Sequence, residues 1–170
     1  MLTAYVNSIY SEERACNLLL RDMYELLILK YFFASKFRMA IVLKGLAVAR
    51  LAYGIGMGSD GIEFVTLDEI QIEEFLGIIE NLTIRFPNIT IEKRIDRRYS
   101  SVIILKILEK KSFEISLEIT TIKYNWKKGI NYITKLLSVR DWTLCIIGQV
   151  IPFSEIIKDY PKLNVLNYYE

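Results

Sequence analysis

The chain contains no histidine and only two cysteines, Cys16 and Cys145. Without histidine, the sequence excludes Ser-His-Asp and Cys-His catalysis, histidine zinc ligands and histidine-based pH switching. Two isolated cysteines are too few for a disulfide framework or a zinc site, so we expect a reducing, cytoplasmic location. Any chemistry must therefore use carboxylates, lysine, tyrosine, serine or a bound metal.

Long apolar runs and an excess of one charge are also missing. No run is long enough to cross a bilayer, and the N-terminus lacks the basic and apolar segments of a signal peptide, so no membrane partner is expected. The 22 basic and 20 acidic residues give a net charge of +2, which offers no electrostatic case for general nucleic-acid binding.

The 170 residues are half apolar, which is enough for one domain, spanning 1–170, with its own core. The chain is rich in Ile, Lys and Tyr and poor in Gln and Cys, a bias compatible with a thermophilic source.

Apolar periodicity predicts alternating helices and strands. The predicted helices are 11–35, 45–53, a segment opened by the capping box Thr66-Leu-Asp-Glu69, 127–138, and a last helix that starts at Pro152 and stops at Pro161. The predicted strands are 39–43, 61–66, 88–95, 101–109, 112–122 and 142–151. With no repeat or linker, this order predicts an α+β fold with a mixed sheet flanked by helices.

The stretch from 42 to 66 has the parts of a phosphate-binding site. Gly45 follows a buried strand and opens a helix, where backbone N–H groups favour phosphates. Glu63 lies on the next strand, and a later strand carries Glu114 on the same face as Ser116 and Glu118. Nucleotidyl transfer needs metal ions held by clustered carboxylates, so these residues point to a nucleotide site.

Each of these residues also has a plainer structural reading. Gly45 can let a helix pack close to a strand, and Asp60 can close a turn. Glu63 and Glu114 can face water on an antiparallel sheet that has one wet face. The residues by themselves leave both readings open.

The stretch Leu43-Lys-Gly-Leu-Ala-Val-Ala-Arg-Leu-Ala-Tyr-Gly54 resembles the signature of the AbiEii/AbiGii toxin-type nucleotidyltransferases, within the polymerase-beta-like nucleotidyltransferase superfamily. The family pattern is Lys-Gly-Gly-Thr-Ala-Leu, a variable stretch ending in Tyr-Gly, and a loop with Ser-x-Asp-hydrophobic-Asp. Glu63 falls where the second Asp would be, and Phe113-Glu-Ile-Ser116 resembles the strand that carries the third acid. The residues that match as they stand are Lys44, Gly45, Arg50, Leu51, Ala52, Tyr53, Gly54 and Ser59.

The resemblance implies a nucleotidyltransferase-like fold and the transfer of a nucleotide from a nucleoside triphosphate to RNA or protein. It also implies a toxin–antitoxin setting with an antitoxin partner. In this family pattern, Asp60, Glu63 and Glu114 would hold magnesium. Lys44, Gly45 and Ser59 would contact the triphosphate.

Two positions depart from the family pattern. Leu46 replaces the second glycine and would crowd the phosphates, and the first Asp falls on Gly61. Asp60 is adjacent, but strand residues alternate faces, so we predict that its carboxylate lies across the sheet from those of Glu63 and Glu114. An inactive nucleotidyltransferase-fold domain that binds a partner is therefore the alternative function, and the departures favour it over catalysis.

Overall fold

The computed structural model describes residues 12–55, 61–67, 70–120, 132–139 and 145–163. The helices are α1 (Glu12–Phe33), α2 (Leu46–Tyr53), α3 (Ile72–Arg85) and α4 (Phe153–Asp159). The strands are β1 (Ile41–Lys44), β2 (Gly61–Thr66), β3 (Ile89–Asp96), β4 (Ser100–Ile107), β5 (Phe113–Thr120), β6 (Ile133–Ser138) and β7 (Cys145–Val150).

The described strands form one mixed sheet in the order β3-β4-β5-β2-β1-β7-β6. β2 lies at its centre, antiparallel to β1 and parallel to β5. β1 is also parallel to β7, and the outer neighbours are antiparallel. Parallel neighbours need a long crossover, and α3, β3 and β4 provide it between β2 and β5. The predicted α+β fold with a mixed sheet, including the pairing of 61–66 with 112–120, is confirmed.

The two faces of the sheet differ because buried and partly exposed residues alternate along β4 and β5. One face packs against α1 and α3. There the Phe32 ring of α1 lies 5.0 Å from Phe64 of β2 and 5.8 Å from Phe75 of α3, measured between ring centroids. The other face carries Glu63, Glu114 and their neighbours, and we call it the polar face.

Helix α2 is short because glycines bound it at both ends. Gly45, with φ 78°, precedes its first residue, and Gly54, with φ 69°, follows its last. The left-handed Gly54 lets its N–H donate to the carbonyl of Arg50 at 3.1 Å, while the N–H of Ile55 reaches Ala49 at 3.0 Å, which closes the helix. The predicted helix 45–53 is confirmed.

Two predicted helix features are wrong. Residues 133–138 form strand β6 rather than a helix, because pairing with β7 overrides a short apolar pattern that fits either structure. Residues 127–131 of that predicted helix lie outside the described residues. Thr66 does not cap α3, since it is the buried last residue of β2 and α3 begins at Ile72 after Gln71.

No helix in the described ranges is both long and apolar enough to span a membrane.

Burial predicts that an isoleucine-to-alanine substitution has very different effects on stability at two positions of α3. Ile79 is fully buried, whereas Ile84 is 78% exposed. We expect Ile79→Ala to lower the free energy of unfolding by about 2–5 kcal/mol, because it leaves a cavity. Ile84→Ala, the matched control, should change it by less than about 0.5 kcal/mol. Urea titration measures both values, and equal losses would contradict this packing.

Candidate functional site

The end of β1 and the middle of β2 bring a lysine and a glutamate together. The antiparallel register pairs Lys44 with Glu63, and the Lys44 Nζ lies 3.3 Å from the Glu63 Oε2. Each side chain is about one-third exposed. The pair is therefore reachable from solvent on the polar face.

The absence of a side chain at Gly45 leaves space for the Glu63 carboxylate. The backbone of Gly45 has φ 78° and ψ −166°, a conformation that is essentially restricted to glycine. A Cβ at this position would lie 2.5 Å from the Glu63 Oε1. The missing side chain thus lets a carboxylate rest against the backbone where α2 begins, at the positive end of the helix dipole. Lys44, Gly45 and Glu63 form one contiguous group.

The parallel register between β2 and β5 places a second carboxylate next to Glu63. Glu63 pairs with Glu118, and Gly61 pairs with Ser116. Neighbouring strands lie about 5 Å apart, so two glutamates stand side by side on the polar face. Glu118 also has a cation nearby, because its Oε1 lies 4.0 Å from the Arg97 Nη1.

The other predicted site residues lie farther away or outside the described ranges. Glu114 is on the same face as Glu118 but four residues earlier, about 13 Å along the strand, and its register partner is Lys106. Asp60 and Ser59 lie outside the described residues, so the predicted direction of the Asp60 carboxylate stays a prediction. Within the described part of the chain, no three acidic or cysteine side chains are grouped so as to hold a metal ion.

Gly61 stands where the resembled family has its first metal-binding aspartate. A Cβ on Gly61 would fall well inside contact distance of both the carbonyl oxygen and the Oγ of Ser116. The space into which an aspartate would extend is therefore filled by β5. Restoring that ligand would require Ser116 to move.

A network of charged, largely buried side chains connects α1 to the elements that carry the site. The Glu25 carboxylate of α1 is fully buried and contacts the Arg50 guanidinium of α2. The Arg50 Nε also lies 2.6 Å from the Asp22 Oδ1. On the other side, the Arg21 Nε donates to the Glu25 Oε1 at 3.4 Å, and its Nη2 donates to the backbone carbonyl of Glu114 at 2.7 Å. The network therefore joins α1 to both α2 and β5.

Burial raises the pKa values of the two acids in this network, Glu25 and Asp22. Loss of solvent raises the pKa of Glu25 to about 7, although the Arg50 charge acts in the opposite direction. Burial also raises the pKa of Asp22, again against Arg50 and Arg21.

Three residues near the site were not assigned to it from the sequence. Glu118 needed the β2–β5 register, which spacing does not reveal. Tyr160 lies near enough to Glu63 that, after burial, the carboxylate charge helps to raise the pKa of its phenol; no sequence pattern signals this. Glu25 had a usable signal, because it lies four and seven residues before the buried Leu29 and Phe32, on one helical face.

The sequence matches no protein-family model and no curated protein. Solved structures do match it. MenT4, a nucleotidyltransferase toxin of Mycobacterium tuberculosis, has a TM-score of 0.57 and 13% identity over 82% of this chain and 50% of its own length. A Helicobacter pylori protein described as a candidate nucleotidyltransferase has a TM-score of 0.51 and 18% identity over 88% of this chain and 58% of its own length. The chain thus spans half of one structure and 58% of the other, and it has the fold of nucleotidyltransferases.

The Gly45 contact predicts a substitution effect that depends on Glu63. Gly45→Ala should cost about 3 kcal/mol of unfolding free energy, because the new Cβ is strained and meets the Glu63 carboxylate. Gly54→Ala, where φ is also positive but nothing lies within 4 Å of a Cβ, should cost about 1 kcal/mol. In a Glu63→Ala background the Gly45→Ala cost should fall by about 1 kcal/mol or more. An unchanged cost would show that the contact is unimportant.

The buried Glu25 predicts a pH dependence of stability. Its pKa is higher in the folded chain, about 7, than the ordinary value of 4.5, so the folded state holds the proton more tightly. Stability from this group is therefore greatest in acid and falls as the pH rises from about 4.5 to 7. Relative to Glu25→Gln, the wild type should lose on the order of 2 kcal/mol across that window, measured by urea unfolding. Parallel pH curves for the two proteins would contradict the shift.

Proposed function

We propose that this nucleotidyltransferase-fold domain binds a magnesium nucleoside triphosphate on its polar face and has lost most or all of the transfer reaction. The observation that carries the loss is the packing of Gly61 against Ser116, at the position of the first metal-binding aspartate in the resembled family. Leu46 would act in the same direction, since a leucine at the start of α2 leaves phosphates less room to approach the backbone than a glycine would. Removing one charge-stabilising group typically costs on the order of 100-fold in rate.

Binding has support of its own in the carboxylates that are present. Magnesium takes one or two carboxylates, keeps several waters and completes its shell with phosphate oxygens. Glu63 and Glu118, side by side on β2 and β5, fit that requirement for one ion. The bound ion would neutralise charge on the triphosphate. Asp60 and Glu114 are the other ligands that the family resemblance implies, but Glu114 lies about 13 Å along β5 from Glu118 and would not share this ion.

The phosphate contacts follow from the neighbours of Glu63. The Lys44 ammonium is 3.3 Å from the carboxylate, so a metal on Glu63 leaves Lys44 beside the phosphates. Gly45 presents backbone without a side chain at the start of α2, where N–H groups favour anions. Ser59 is a further proposed contact.

An active nucleotidyltransferase toxin is the second candidate. The adjacent Glu63 and Glu118 favour it, because two carboxylates and one magnesium can support a slow reaction. The fold is shared with MenT4, a nucleotidyltransferase toxin, and the sequence resemblance to the toxin-type family supplies the proposed RNA or protein acceptor and antitoxin partner.

Calorimetry tests the binding proposal. The protein is titrated with each of the four nucleoside triphosphates, with and without magnesium. We expect one of them to bind saturably and only with magnesium, and Glu63→Gln and Glu118→Gln to weaken binding about tenfold or more, or about 1.4 kcal/mol. Glu74→Gln is the control, because Glu74 pairs with Lys36 on the surface and should leave affinity unchanged. No magnesium-dependent binding of any triphosphate would overturn the proposal.

Labelling separates the two candidates. The protein is incubated with α-labelled triphosphates, magnesium and either total RNA or total protein. The proposal predicts no more label than with Glu63→Gln. Label that the wild type transfers and Glu63→Gln does not would establish the active enzyme instead.

A further inference from the structure

We infer that Glu25 is a positioning residue that holds helix α2 and the start of β5 in place on either side of the candidate site. The Glu25 carboxylate reaches both elements through two arginines. One of its oxygens meets Arg50 of α2. The other accepts from Arg21, which in turn donates to the Glu114 carbonyl of β5 at 2.7 Å. One buried acid thus connects two segments that are distant in sequence.

Helix α2 depends on this connection. It has only eight residues, and no side chain caps its N-terminus at Gly45. Isolated helices of this length are marginal in water, so contacts with the rest of the fold must hold them. Arg50, in its last turn, is largely buried and is fixed by Glu25 and Asp22. The placement of Gly45 against Glu63 therefore rests partly on the Arg50 anchor.

The β5 side of the connection shapes a cavity. An open cavity of about 490 Å³ on the sheet is lined by Arg21, Ile104, Phe113, Glu114 and Ser116. Its Ser116 pairs with Gly61, two residue pairs along the ladder from Glu63 and Glu118. Because Glu25 orients the Arg21 guanidinium, it also sets one wall of this cavity. An effect of Glu25 on nucleotide affinity would rest on the proposed function. The positioning of α2 and β5 by Glu25 does not.

The ion pairs of Glu25 with Arg21 and Arg50, rather than hydrophobic packing, explain why an acid occupies this buried position of α1. Glu25 lies on the apolar face of α1 with Leu29 and Phe32, where a leucine would avoid the cost of burying a charge. A leucine cannot hold a guanidinium on each side. The charged groups that face Glu25 are Arg21 and Asp22 from α1 and Arg50 from α2.

Hydrogen–deuterium exchange on the full chain tests the positioning without any nucleotide. Glu25→Gln keeps the size of the side chain and removes its charge. We expect amides in 46–50 and in 113–117 to exchange about tenfold faster or more, while β6 and β7 exchange as in the wild type. Faster exchange everywhere, or in neither segment, would overturn the inference.

Two variants that each remove one of the arginines bound to Glu25 test the inference even if Glu25→Gln folds poorly. Arg21→Gln removes the bonds of Arg21 to Glu25 and Glu114 but leaves Arg50 on Glu25, so it should loosen 113–117 but not 46–50. Arg50→Gln should loosen 46–50 but not 113–117. Identical patterns from the two variants would show general destabilisation and would contradict the positioning role.

The pH profile gives a readout that packing alone would not change. Global unfolding exposes Glu25, but a local opening that removes Arg50 or Arg21 leaves it buried and raises its pKa further, because both charges lower that pKa. As the pH falls towards about 7, the opened form therefore takes up a proton first, and wild-type protection of the two segments should fall after correction for intrinsic exchange rates. In Glu25→Gln it should stay level, and a matching fall there would count against Glu25. If the wild type binds no triphosphate in calorimetry while the exchange pattern holds, the proposed function fails and the positioning role stands.

Discussion

The parallel pairing of β2 with β5 decides which side chains can share a site in this fold. A parallel ladder fixes neighbours residue by residue, so Glu63 stands beside Glu118 and Gly61 beside Ser116. Moving the register by two residues would keep the same face and change every partner. The contact between Gly61 and Ser116 resists such movement, because only a glycine allows β5 to come this close. The same packing that fixes the pair of glutamates thus removes room for a third acid on β2.

Charge balance on the polar face follows from that register. Two adjacent carboxylates repel each other unless cations lie near. Lys44 stands beside Glu63, and the more distant Arg97 faces Glu118. Both ion pairs are partly exposed and therefore weak, so a divalent ion can displace them at small cost. A site of this kind suits reversible binding better than a rigid two-metal centre.

The sequence predicted the elements of this fold better than their contacts. The strands at 61–66 and 113–120 were predicted because apolar residues alternate with polar ones, and Gly45 and Gly54 marked the ends of α2. The register could not be predicted, since Glu114 and Glu118 occupy equivalent places in the alternation and only pairing with β2 distinguishes them. The strand at 133–138 was missed because β7, not local propensity, decides its conformation.

The buried network gives one residue of the signature-like stretch a structural role. Arg50 belongs to the stretch that resembles the toxin-type signature, yet its contacts are with Glu25 and Asp22 in α1 rather than with the polar face. Breaking a buried pair by removing one partner typically costs 3–5 kcal/mol, a large share of the stability of a small domain. Selection for folding alone can therefore retain Arg50. Matching a signature motif consequently reports the architecture of this site more directly than its chemistry.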